Sequence, residues 1–76
     1  MKAGNTNFEV NARVKIKNVT GEDSDLNGKT GRVTHPFPGL MAPGIDYSNW
    51  VGVRLDEPGN VINGIANVKA SQVEPI

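Results

Sequence analysis

Trp50-Val51-Gly52-Val53-Arg54-Leu55-Asp56-Glu57-Pro58-Gly59-Asn60 is the stretch on which the fold class turns. Val51, Val53 and Leu55 alternate with Trp50, Gly52 and Arg54, the period of two that belongs to a strand with one buried face. Glu57-Pro58-Gly59-Asn60 then fits a turn with Pro second and Gly third. The rhythm recurs upstream. Val10, Ala12, Val14 and Ile16 alternate with Asn11, Arg13, Lys15 and Lys17. A further strand runs from Thr30 to His35, with Gly31, Val33 and His35 on one face and Thr30, Arg32 and Thr34 on the other. Leu26-Asn27-Gly28-Lys29 is a tight turn before it, Asn-Gly supplying positive φ. Pro36 and Pro38 end it, because neither donates to a ladder. Downstream, Val61–Val68 is a weaker strand broken near Asn63-Gly64, Lys69–Gln72 makes one helical turn, and Val73–Ile76 is a last short strand.

Five short strands with Gly/Pro punctuation predict an all-β domain, a small closed barrel spanning residues 9–76. Closure hides the edges that an open sheet of this size exposes. The expected core is Val14, Ile16, Leu26, Val33, Val51, Val53, Leu55, Ile65, Val68 and Val73. Residues 1–8 are small and polar and are expected to fray as a flexible segment. Thr20–Asp25 reads as an acidic loop without an apolar anchor.

The 76 residues carry 8 Lys+Arg against 8 Asp+Glu, for a net charge of zero. With a hydrophobic fraction of 37%, this is not the composition of a disordered chain. No run approaches the roughly 18 apolar residues of a membrane span. Met1-Lys2-Ala3-Gly4-Asn5 opens no signal-peptide core, so a cytoplasmic location is expected. The chain has no Cys and 1 His, which argues against thiolate or multi-His metal sites. Gly-rich phosphate loops are absent as well, and no metal and no cofactor is expected.

The order of strands and turns resembles the SH3-like small barrels, which makes the expected architecture a five-stranded SH3-like barrel. Asn27-Gly28-Lys29-Thr30-Gly31-Arg32-Val33, following the basic strand Arg13–Lys17, resembles the KOW motif of ribosomal large-subunit proteins and NusG-type transcription factors. That resemblance implies a module that binds RNA or protein. Trp50–Pro58 is similar to a stretch of the CAP-Gly domains, which are also SH3-like barrels and capture acidic, aromatic C-terminal tails through a Gly-Lys-Asn-Asp-Gly loop. Here the corresponding residues are Gly59-Asn60-Val61-Ile62-Asn63-Gly64, followed by Ile65-Ala66 where an aromatic pair belongs. Without the Lys the charge-assisted bond to a carboxylate is lost, so the resemblance implies the scaffold and not tail capture. Length and strand rhythm also resemble the SH3-like peripheral subunit of photosystem I, which implies an accessory subunit of a larger complex. The small plasmid-borne dihydrofolate reductases resemble the chain in length and barrel fold, but their pore-lining Val-Gln-Ile-Tyr has no counterpart here.

Two surfaces are candidates for function. The connection 36–49 carries Phe37, Leu40, Met41, Ile45 and Tyr47, more apolar side chains than a connector needs, and leads into Trp50. It reads either as a protein-binding surface held by prolines or as a plug folded over one barrel mouth. Arg13, Lys15, Lys17, Lys29 and Arg32 read either as a phosphate-tracking stripe for RNA or DNA or as a solvated outer strand face. Glu22, Asp23 and Asp25 between them, and the neutral total, weigh against nucleic acid. His35, Asp46 and Ser48 share a loop without a nucleophile elbow, and Asp56-Glu57 are adjacent strand residues facing opposite ways. The expectation is a non-catalytic binding module with a protein partner, nucleic acid being the alternative.

Overall fold

A run of alternating residues forms a strand wherever its apolar half finds a common core, and five segments do so in the computed structural model of the chain. The structure describes residues 1–3, 6–37, 42–59 and 61–76, and of Ile62 only the backbone. The strands are β1 (Arg13–Ile16), β2 (Thr30–Thr34), β3 (Trp50–Leu55), β4 (Ile65–Lys69) and β5 (Val73–Pro75). They form one antiparallel sheet in the order β4-β3-β2-β1-β5. The fold is therefore all-β, as the alternation predicts. Among the described residues no helix is long and apolar enough to cross a membrane.

The ladder does not close into a barrel: β4 and β5 are the two ends of the sheet order. A 3₁₀ turn, Ala70–Gln72, joins these edge strands instead. Its backbone bonds reach across the gap, Ala70 N–H donating to the Asn49 carbonyl and Gln72 C=O accepting from Lys17 N–H, both at 2.8 Å. The sheet nevertheless rolls around its apolar face, giving extents of 26 × 25 × 22 Å.

Two bulges explain the roll. At one end of the β1–β2 pair, Asn11 N–H donates to Val33 C=O and Val33 N–H donates to Ala12 C=O, so two residues face one. At the other end, Gly28 N–H donates to Ile16 C=O while Ile16 N–H donates to Lys29 C=O. Both first positions are left-handed, Asn11 at φ 76 and Gly28 at φ 87. This is the bulge type that ordinarily recruits glycine, and each such insertion bends the strand and raises its twist. The first bulge also shortens β1, which begins at Arg13 rather than Val10. In the turn 26–29 only Gly28 takes positive φ; Asn27 stays at φ −58, ψ 131.

Val14, Ile16, Val33, Val51 and Val53 are fully buried, with Leu55, Val68 and Val73 nearly so. Near the N-terminus Ala3 is fully buried, Lys2 bridges Glu9, and Ala3 N–H donates to Phe8 C=O at 2.9 Å, while Gly4 and Asn5 of the segment expected to fray lie outside the described residues. Two expectations are corrected. Ile65 points away from the core and Ala66 takes its place, because Val68 fixes the phase of β4 and its alternate neighbour must be residue 66. Finally, the acidic loop winds into a 3₁₀ segment, Gly21–Leu26, with Leu26 packed against the core as its anchor. The Asn27 side chain secures that segment. Its amide accepts from Val19 N–H and donates to Val19 C=O, both at 2.8 Å, reproducing a strand-like pairing with one side chain.

Candidate functional site

The connection 36–49 is fixed at both ends. After β2 the chain passes over Gly52, close enough that a β-carbon there would lie 2.6 Å from the His35 carbonyl oxygen. The Asn67 side chain on β4 then holds Phe37, accepting from its N–H at 2.8 Å and donating to its C=O at 3.0 Å. At the far end Trp50 N–H donates to Tyr47 C=O at 3.0 Å, and the two rings meet edge to face, with centroids 4.9 Å apart. The Tyr47 hydroxyl accepts from Ala42 N–H at 2.8 Å. Among the described residues, the partly buried hydrophobic side chains packed against the core are Phe8, Val10, Ala12, Leu26 and Val61, none of them from the connection. Ile45 is 53% exposed, while Phe37, Tyr47 and Trp50 are half-buried. Leu40 and Met41 lie outside the described residues.

Beside Trp50 runs a groove of about 760 Å³. Tyr47 and Trp50 stand where β3 begins, and Pro58 and Gly59 lie beyond its other end, so the groove follows the length of the sheet. One wall carries Glu22, Asp23 and Asp25 of the 3₁₀ segment, with Lys29 the lysine among its lining residues. These carboxylates and Lys29 were each visible in the sequence, but their meeting with Trp50 was not, since it depends on contacts far apart in the chain.

The basic residues fall on the outer sheet face in a register that alternation alone does not disclose. Arg13 pairs with Arg32, and Arg32 with Arg54, placing three guanidinium groups across β1, β2 and β3. Arg54 completes a row of which the sequence reading named only Arg13 and Arg32. Like charges directly opposite destabilise a sheet, and the structure relieves part of this one. Arg13 Nη1 lies 2.8 Å from Asp56 Oδ1, and the Thr30 hydroxyl donates to Asp56 Oδ2 at 2.8 Å. Arg32 Nη1 donates to the Asn11 carbonyl at 3.1 Å. Lys15 is exposed opposite Thr30 and Glu74, Lys17 stands 3.9 Å from Glu74, and Lys29 lines both the groove and a smaller hollow beside Thr30 and Asp56.

The hydrogen bond from Arg13 first, then that from Thr30 and the charges of Arg13 and Arg32, hold the Asp56 carboxyl below its ordinary value of 3.8. A carboxyl depressed in the folded state lends stability above its unfolded value, and that stability is lost as pH falls through the folded one. Asp56→Asn should therefore flatten the acid limb of the stability profile below about pH 4, with little change in its slope at neutral pH. Chemical unfolding followed across that range checks it. In the connection, Asp46 accepts from Ser48 N–H at 2.9 Å, closing a local turn that lowers its own carboxyl. Among the described residues no group of three or more His, Cys, Asp or Glu is placed to hold a metal.

No protein-family model, curated protein or solved structure matches this chain.

Proposed function

We propose that the chain is a non-catalytic module that binds protein, through the Tyr47–Trp50 pair and the connection leading to it. The observation that carries this reading is the position of that pair: outside the core, half-buried, and lining a groove of about 760 Å³. Aromatic side chains held rigidly beside a groove supply contact area at low entropic cost, and Trp and Tyr are enriched among residues that dominate interfaces. The SH3-like resemblance fits a five-stranded antiparallel sheet rolled on one core, and a cytoplasmic setting belongs to the same proposal.

Panning a random peptide library on the immobilised chain tests the reading. Wild type should enrich a family of sequences, and Trp50→Asp should lose them by about 100-fold or more, the scale of an interface hot spot of some 3 kcal/mol. The variant's circular dichroism should stay that of the wild type, because Trp50 is not in the core. Retention of the same peptides by Trp50→Asp would refute the assignment.

A second reading, a nucleic-acid face, is favoured by the Arg13–Arg32–Arg54 register. It ranks lower because Asp56 and Glu74 offset part of that charge and the chain as a whole is neutral.

A further inference from the structure

Ile65, Ala66 and Asn67 all line the groove, and they are consecutive residues of one strand. Successive strand side chains point to opposite faces, so a cavity that touches all three meets β4 along its edge and not on either face. Of β3, only the first residue, Trp50, takes part. The groove therefore lies on the side of β4 that has no neighbouring strand.

The two edges of the sheet are not alike. β5 is three residues long and ends in Pro75, the short, proline-blunted edge by which proteins avoid pairing with other chains. β4 is five residues long and contains no proline, and its one lysine, Lys69, is at its end. Alternate residues of an antiparallel edge strand direct N–H and C=O outward, a ready template for another extended chain. Across the groove stand Glu22, Asp23 and Asp25, all exposed and none in an ion pair among the described residues.

We propose that the β4 edge accepts an extended, lysine- or arginine-bearing segment of a partner protein as a sixth strand, seated between β4 and the acidic 3₁₀ wall. The proposal rests on the protein-binding reading above and adds to it the mode of docking and the charge of the partner. Backbone hydrogen bonds to β4 give the affinity, the wall of carboxylates selects basic side chains, and the Tyr47–Trp50 end receives an apolar or cationic one.

The test uses the isotopically labelled full chain and two acetylated, amidated probe peptides, Lys-Val-Lys-Val-Lys-Val and Glu-Val-Glu-Val-Glu-Val. At ten times its Kd the lysine peptide should slow hydrogen exchange of alternate amides within Ile65–Lys69 about tenfold. The glutamate peptide should leave them unchanged. Glu22→Gln, Asp23→Asn and Asp25→Asn combined should weaken the lysine peptide about tenfold, three rim charges at a few tenths of a kcal/mol each. A lysine peptide N-methylated at alternate residues, in either phase, should lose binding in one of its two forms. Equal binding of both charge types, or full binding of both methylated forms, would overturn strand addition. Peptides from panning that need Trp50 yet leave every β4 amide unprotected would also overturn it, while the protein-binding reading stands. If panning enriches nothing and neither probe binds, that reading fails too.

Discussion

Gly31→Ala is expected to cost about 3 kcal/mol, the upper end of what an extra buried carbon costs when the surroundings cannot move aside. In a domain of this size that lowers Tm by at least about 12 °C. Propensity alone predicts the opposite sign, since Gly within a strand is roughly 0.5–1 kcal/mol worse than Ala. The structure reverses it because Gly31 is buried on β2 between Val14 of β1 and Leu55 of β3. A β-carbon there would run into the Arg54 carbonyl and come within 2.8 Å of Val53 Cγ1. The first obstacle is backbone within a ladder, so relief requires β2 and β3 to part. Thermal unfolding decides between the signs, and an unchanged or raised Tm would show that the strands do not approach as described.

Gly52→Ala should act more locally, at about 1–3 kcal/mol. Its β-carbon would meet the His35 carbonyl oxygen at 2.6 Å, Thr34 Cγ2 at 3.0 Å and Ile65 Cγ2 at 3.1 Å. His35 lies beyond the end of β2, so the segment can lift where Arg54 cannot. Lifting breaks the pair of bonds between Asn67 and Phe37, and the Phe37 amide should exchange much faster while the β1–β2 amides stay protected. Asn67→Ala removes the same bonds without the collision and should reproduce the local effect at roughly 1–2 kcal/mol. Uniform acceleration of exchange in Gly52→Ala would mean that the segment is integral to the sheet instead.

Alternation made β2 and β3 legible almost residue for residue, because each has an unbroken period of two and a clear stop. It failed where local backbone conformation intervenes. Asn11 and Asn63 take left-handed φ, which starts β1 late and resets the phase before β4; Asn63-Gly64 marks its own break, whereas Asn11 sits inside an unbroken alternation that hides it. Ala3 and Val19 were missed because they lie outside any strand, and each is held by hydrogen bonds rather than by periodicity. The Asn27 and Asn67 clamps belong to the same class: one amide imitates a strand, and the sequence shows only a polar residue. Among the site residues, Trp50 and Tyr47 were legible as surplus aromatic groups near a strand start. The groove was not, since it exists only where the 3₁₀ segment and β4 come together.

The chain contains 1 Trp, so its indole N–H gives a single resonance at the proposed site. The most direct measurement is an amide-resolved NMR titration of the labelled chain, with a panning-derived peptide in one arm and mixed-sequence RNA at low salt in the other. The account predicts that the peptide moves the Trp50 indole together with Tyr47 and Ile65–Asn67, and that RNA moves none of them. Shifts along Arg13, Arg32 and Arg54 that fade as salt rises, with the groove silent to peptide, would contradict it.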